Sequence, residues 1–472
     1  MKVKKPLVEA LEQFIERQPL SLHVPGHKYG KLSTLPYDFQ RALKYDVTEL
    51  TGLDDLHHPE EAILEAQRLL AETYKADDSF FLVNGSTVGN LVMIYATCKR
   101  GDKLLVQRNA HKSIFHAIEL VGVEPVYLMP EWDENTQTLG ALSQQTVQQA
   151  VKEHPDAKGL VITSPTYYGV VAQDLQQQIE CCHAAQIPVL VDEAHGAHLV
   201  ASKLFPMSAL ALGADVVVQS AHKTLPAMTM ASFMHVKSSL VQAERINYYL
   251  RMLQSSSPSY MLLASLDEAR YFVQTYKQSD VMYLLDKRAQ WLEALRAIPS
   301  VHIIEAADPL KICMRVDYYS GAQVQQALED QGVYAELADP QQVLFILPLL
   351  KVGQSYPFAE LRVRIRDAVA SLQKEKSAQL EMIKPLMLQK VSVPQLTNEQ
   401  VMLGEKEWIP YMRAIDRISA AMVIPYPPGV PLFVPGEKIT ISNLSQLEEL
   451  LAIDASFQGQ HKLAEKMIYV MK

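Results

Sequence analysis

The 472-residue chain carries 44 lysines and arginines against 53 aspartates and glutamates, a formal net charge of −9. An acidic chain without a long basic run is unlike a nucleic-acid or anionic-membrane binder. At 48% hydrophobic and 21% charged residues it has the balance of a soluble globular protein, and no apolar run approaches the roughly 18 residues of a membrane span.

Leu7, Leu11, Phe14 and Ile15, interleaved with Glu9, Glu12 and Glu16, predict an amphipathic first helix rather than a secretory segment. The stretch Leu20 to Gly30 is broken by Pro25, Gly26 and Gly30 and predicts a loop carrying His27 and Lys28. Next, Thr48 to Pro59 gathers Asp54, Asp55, His57 and His58, but without a fixed i,i+4 ligand pattern, so no metal is expected. Residues 60–75 predict a helix.

Seven short apolar runs follow, at 80–83, 103–107, 124–128, 159–163, 188–192, 216–218 and 231–236. Helical stretches lie between them, from about 88 and at 112–121, 143–153 and 173–185. Continuous apolar strands alternating with helices predict an α/β fold, a mostly parallel seven-stranded sheet with helices on both faces. Ligands of such sheets bind beyond the carboxyl ends of the strands. After residue 255 the pattern changes to a helical stretch at 258–298, strands at 311–316 and 342–347 around a helix at 321–331, and a charged helix at 357–390. That predicts a smaller C-terminal α/β domain. The expected division is an N-terminal helix and interface arm (1–58), a cofactor-binding major domain (59–298), the small domain (299–390) and a C-terminal segment (391–472) whose prolines fix an extended path. Four cysteines, none in a C-x-x-C pair, read as reduced thiols of a cytoplasmic protein.

The polar clusters sit at the strand ends. Gly85, Ser86 and Thr87 open a helix after 80–83, where free N–H groups and hydroxyls make either an ordinary N-cap or an anion seat. His111, past 103–107, is either a satisfied polar histidine or a flat ring for a flat ligand. Thr166 follows 159–163 in a turn that is structural or ligand-facing. Asp192 ends a strongly apolar strand, where a carboxylate is costly unless paired, and His195 follows it. Lys223 comes just past 216–218 between Ser220, His222 and Thr224. A confined lysine loses preference for its charged form, and a neutral amine attacks carbonyls. A Schiff-base lysine, a phosphate seat, an acid for a pyridinium and a stacking ring together fit pyridoxal 5'-phosphate.

The segments His23-Val-Pro-Gly-His-Lys28, Thr48 to Pro59, Asn84-Gly-Ser-Thr87, His111-Lys-Ser113, Ser164-Pro-Thr-Tyr167, Asp192-Glu-Ala-His-Gly196, Ser220-Ala-His-Lys-Thr224 and Pro425-Tyr-Pro-Pro-Gly429 run in order over nearly the whole chain. In them the chain resembles the bacterial ornithine/lysine/arginine decarboxylases, pyridoxal-phosphate enzymes of the aspartate-aminotransferase fold (fold type I). The resemblance implies that Lys223 carries the cofactor as a Schiff base, that Asp192 keeps its ring nitrogen protonated and that His111 stacks on the ring. It implies phosphate contacts from Ser86, Thr87, Ser220 and His222, with Gly85 and Thr166 among the cofactor residues. It implies too that His195 lies near the ring and the reacting carbon. It further implies a homodimer or larger assembly with active sites at the subunit interface, to which His27 and Lys28 contribute, and a substrate entrance formed by Glu437 and the Tyr-Pro-Pro-Gly segment. Glu437, Asp54 and Asp55 are the acids available for the distal cation of a basic amino acid. The first helix leads almost directly to His23, without the extra N-terminal domain of the large inducible members, so the chain resembles the short biosynthetic form. Arginine is the favoured substrate, then lysine or ornithine. An aminotransferase-type enzyme of the same fold and a non-catalytic regulatory homologue are the alternatives.

Overall fold

The computed structural model describes residues 4–372, 389–425, 429–452 and 456–472. All seven expected strands form: β1 (Asp78–Leu82), β2 (Lys103–Gln107), β3 (Glu124–Leu128), β4 (Leu160–Thr163), β5 (Val189–Asp192), β6 (Val216–Gln219) and β7 (Ser232–Val236). The chain divides into two compact units, each built from separated stretches: residues 1–97 with 188–277, and residues 98–187 with 278–472.

In the first unit β5 and β6 run parallel, with Asp192 opposite Val218. β7 is antiparallel to β6 and to β1, where the sequence pattern suggested a parallel run. The reason is local: residues 220–231, which link β6 to β7, form only one helical turn at Ala221–Thr224 and hold no crossover helix to carry the chain back for a parallel pairing. The strands are apolar because they are enclosed, with Val216, Val217, Val218 and Phe233 at 0% exposure. Four helices carry the rest of the site's frame: α1 (Pro6–Glu16), α2 (Tyr37–Ala42), α3 (Ala62–Tyr74) and α4 (Gly85–Thr97). Helix α1 begins with Pro6, whose missing N–H costs nothing at a first helical position. It is docked by the buried pair Arg270–Asp267, in which Asp267 also accepts the Leu7 N–H at 3.0 Å. Helix α4 is apolar nearly all round, and Val92, Met93 and Ile94 are fully buried.

In the second unit β2 pairs in parallel with β3 and with β4. A short strand at Val391–Ser392, not anticipated, adds antiparallel to β3. A separate antiparallel sheet is built from Val301–Glu305, Lys311–Val316, Val343–Ile346 and Leu337–Ala338, with helices Gly321–Asp330 and Phe358–Leu372. The expected helical stretch at 258–298 is two helices, Tyr260–Gln274 and Gln278–Arg296. The part of the expected helix 357–390 that lies at 373–388 is outside the described residues. Further on, Lys406–Pro410 pairs with Met467–Met471 over a cluster that includes Val423, Leu432, Leu447 and Val470. Among the described residues no helix is long and apolar enough to cross a membrane.

Candidate active site

The parallel register of β5 and β6 brings their carboxyl ends level, and the chemistry starts there. Asp192 is 2% exposed. Its Oδ1 accepts the Ala194 N–H at 3.1 Å and its Oδ2 accepts the side-chain amide of Asn90 at 2.8 Å. Beyond β6, the single turn Ala221–Thr224 holds Lys223, whose Nζ lies 3.0 Å from Nε2 of buried His195. His222 Nδ1 is 3.0 Å from the carbonyl of Ala231. A carbonyl only accepts, so the ring carries a proton at Nδ1.

Helix α4 supplies the third wall. Gly85 has φ +77° with nothing within 4 Å of an added Cβ, so it is the backbone conformation, not space, that calls for glycine. Asn84 ties this turn down by accepting the Ser255 N–H at 3.1 Å. Ser86 and Ser220 meet hydroxyl to hydroxyl at 2.8 Å, and Thr87 is exposed. This donor set fits pyridoxal phosphate. The start of a 13-residue helix and its hydroxyls suit a phosphate dianion. Asp192 is a buried carboxylate whose donors, among the described residues, are neutral, and a pyridinium balances such a charge. Lys223 offers the amine.

Glu193, next to Asp192, turns away into the core. It accepts from Ser208 Oγ (3.0 Å), Ala209 N (2.7 Å) and Gln219 Nε2 (2.6 Å). Burial pushes its carboxyl up to about 7 against those donors. Gln219 in turn takes the Nε2 of His235 at 3.2 Å, and Ser79 meets the other ring nitrogen at 2.7 Å. Burial lowers His235 to about 3, which keeps it neutral. A fully enclosed polar chain thus runs beneath the strand ends that carry Asp192 and Ser220.

The other expected residues have partners of their own. In the N-terminal arm of the first unit, His27 accepts the Gly30 N–H at Nδ1 and meets Asp46 at 3.1 Å through Nε2, while Lys28 bonds the carbonyl of His23. Asp54 caps α3 from outside. Its carboxylate accepts backbone N–H groups of Asp55, Glu60, Glu61 and Ile63, each at 2.9 Å, and helix α3 has no cap from its own first residue. Asp55 accepts one N–H, from His57 at 2.8 Å, and with Glu49, Glu60 and Glu61 lines an open acidic pocket of about 350 Å³. In the second unit, His111 caps the helix Lys112–Val121, its Nδ1 taking the Ser113 N–H at 3.3 Å. Thr166 is buried and accepts the Val170 N–H at 3.1 Å. Both oxygens of Glu437 are held at 2.7 Å by the buried guanidinium of Arg108, and Ser392 adds a third bond at 3.0 Å. Of the expected entrance, Tyr426, Pro427 and Pro428 lie outside the described residues. Sequence reasoning missed Asn90, whose partner is 102 residues away, and Arg108, whose partner is 329 away.

An α/β unit with a lysine amine, a buried acid and a helix-start anion seat at adjacent strand ends defines the class of fold type I pyridoxal-phosphate enzymes. The comparisons agree. The family description "Orn/Lys/Arg decarboxylase, major domain" matches residues 5–316, and "Orn/Lys/Arg decarboxylase, C-terminal domain" matches 376–461. The chain belongs to the Orn/Lys/Arg decarboxylase family: it is a decarboxylase, and its cofactor is pyridoxal phosphate. It is 44% identical to a Bacillus subtilis (strain 168) protein called Uncharacterized protein YaaO, over 98% of both chains. It is 34% identical to the arginine decarboxylase of the same organism, over 99% of this chain and 98% of that one. Its fold is that of the Escherichia coli constitutive lysine decarboxylase (TM-score 0.79, 21% identity, 99% of this chain and 82% of that one).

Proposed function

We propose that the chain decarboxylates arginine to agmatine, with lysine (to cadaverine) and ornithine (to putrescine) next, as a cytoplasmic step of polyamine biosynthesis. The observation that carries the reading is the Lys223–His195 contact beside Asp192 and the Ser86–Ser220 pair. The 34% identity to arginine decarboxylases of Bacillus subtilis and Bacillus anthracis supports arginine.

Lys223 carries the cofactor, Asp192 holds the proton on its ring nitrogen, and Ser86, Thr87, Ser220 and His222 around Gly85 seat the phosphate. The family resemblance adds His111 as the stacking ring and Thr166 as a further contact. When bound, pyridoxal phosphate supplies the sink for the electron pair of the breaking bond. His195 Nε2, 3.0 Å from Lys223 Nζ, takes the ammonium proton and leaves the neutral amine that attacks a carbonyl. After CO2 departs, the same pair returns a proton to the substrate carbon, a contribution of about 10²–10⁴-fold.

Of the three acids proposed for the distal cation, Glu437 is taken by Arg108 and Asp54 by the start of α3. Asp55 keeps the most spare acceptor capacity, and a guanidinium, planar and five-donor, is the cation best matched to a carboxylate. Glu437→Gln is therefore expected to act on stability: Arg108 is buried and Glu437 partly so, and breaking their bidentate pair costs about 3 kcal/mol, the low end for a buried pair. A lower melting temperature with unchanged KM supports the clamp, and a large rise in KM at unchanged melting temperature returns Glu437 to the substrate.

A homodimer or tetramer with the site at the subunit interface is supported by large apolar side chains left to solvent in the arm: Leu20 (87% exposed), Leu22 (101%), Leu32 (71%) and Phe39 (64%). The division into 1–58, 59–298, 299–390 and 391–472 remains part of this proposal; the two separate family matches, 5–316 and 376–461, support only a break within residues 317–375, inside the small domain.

The deciding experiment incubates the purified holoenzyme separately with arginine, lysine and ornithine and measures CO2 and amine. The expected kcat/KM for arginine exceeds the others by at least about tenfold, the scale of one well-placed pocket contact. Preference for lysine would move the substrate assignment, and CO2 from none of the three would sink the reading.

A further inference from the structure

Helix α4 touches both strand ends with one face. Residues four apart on a helix lie one above the other, about 6 Å along the axis, and Ser86 and Asn90 are such a pair. Ser86 meets Ser220 beyond β6, and Asn90 donates to Asp192 at the end of β5, both at 2.8 Å. Gly89 sets the close approach: an added Cβ would lie 2.7 Å from Val218 Cγ1 and 2.8 Å from Leu82 Cδ1. A larger residue there would force Val218, Leu82 or the helix itself to shift. Asn90 is 1% exposed, so its amide has no solvent to turn to. A carboxylate offers only acceptors, so the amide nitrogen must be the atom presented to Asp192.

We infer that Asn90 is a positioning residue for the cofactor site, acting through Asp192. Its N–H fixes the plane of the carboxylate, so that the second oxygen face is set for a ring nitrogen. Because α4 also starts the phosphate seat, one rigid element spaces the two ends of the cofactor. The inference rests on the reading of Asp192 as the ring-nitrogen partner.

Apo-protein is titrated with pyridoxal phosphate, following protein fluorescence and the absorbance of the bound cofactor, for wild type, Asn90→Leu and Asn90→Asp. A hydrogen bond to a charged group is worth about tenfold to a hundredfold. Asn90→Leu is expected to weaken cofactor binding by about that factor. The same substitution made in an Asp192→Asn background is expected to add less than about twofold, because coupled residues are not additive. Asn90→Asp keeps the size of the side chain. Protonated, it still donates to Asp192; ionised, it repels it, so affinity should fall as pH rises, beyond any change in wild type. Unchanged affinity in folded Asn90→Leu, or a full further loss in the Asp192→Asn background, overturns the inference. If Asn90→Leu does not fold, Asn90→Asp decides, and a pH dependence equal to wild type overturns it. Failure of wild-type apo-protein to bind pyridoxal phosphate, or borohydride labelling away from Lys223, instead removes the underlying reading.

Discussion

Lys223→Ala is expected to abolish turnover, with CO2 release reduced by more than about 10⁴-fold, since proton transfer alone accounts for about 10²–10⁴ and the covalent anchor is lost with it. The loss should be chemical rather than structural. Lys223 is only partly buried, on a one-turn helix whose carbonyls and N–H groups stay where they are. The folded variant should still take up pyridoxal phosphate, because the Ser86–Ser220 seat and Asp192 are untouched, but borohydride should leave no covalent label. Peptide mapping of borohydride-treated wild type should place the label on Lys223. A label on another lysine, or a variant that keeps more than about a hundredth of wild-type CO2 release, would remove Lys223 from the centre of the site.

Asp192→Ala should lose far more turnover than Thr87→Ala when both are measured at saturating cofactor. Asp192 is a buried carboxyl at the place proposed for the ring nitrogen, and preorganised groups in such a role are worth about 10²–10³-fold. Thr87 is exposed and one of several donors at the start of α4, so its loss is expected to cost about tenfold or less in affinity and little in rate. Saturating the cofactor separates the two effects. Asp192→Ala also strands the Asn90 amide and the Ala194 N–H, so a melting curve must accompany the assay, and Asp192→Asn gives a variant of the same size. Equal losses for Asp192→Ala and Thr87→Ala would count against the role given to Asp192.

The strands that frame the site were legible because enclosed parallel strands must be apolar throughout, and Val216-Val217-Val218 can hardly be read otherwise. Gly85-Ser86-Thr87 and Ser220 to Thr224 were legible because their positions after such strands restrict what they can be. The direction of β7 was not, since an apolar run carries no sign of direction; the connection before it, with a single helical turn and no crossover helix, does. The strand Val391–Ser392 is too short to show periodicity. The helix Ala243–Leu253 buries only Ile246 and Leu250 and reads as surface. Polar pairings across long separations were the main omission. Nothing near Asn90 announces Asp192, nothing near Glu437 announces Arg108, and Asp54 looks like ligand material until the bare start of α3 is placed beside it.

The first unit is made of two stretches that are far apart along the chain, 1–97 and 188–277. Helix α1, made first, is secured by Asp267, Glu268 and Arg270, which are among the last residues of that unit to be made. At about 5–20 residues per second, the ribosome needs roughly 10–40 s to pass from the first stretch to the end of the second. Until residue 192 is made α4 lacks the carboxylate it braces, and β6, beyond which its Ser86 meets Ser220, comes later still. The residues proposed to hold the cofactor therefore meet late: Gly85, Ser86 and Thr87 precede Asp192, Ser220 and Lys223 by the whole of residues 98–187, which belong to the other unit. Stability of the early stretch alone can contribute little to how this protein reaches its working form.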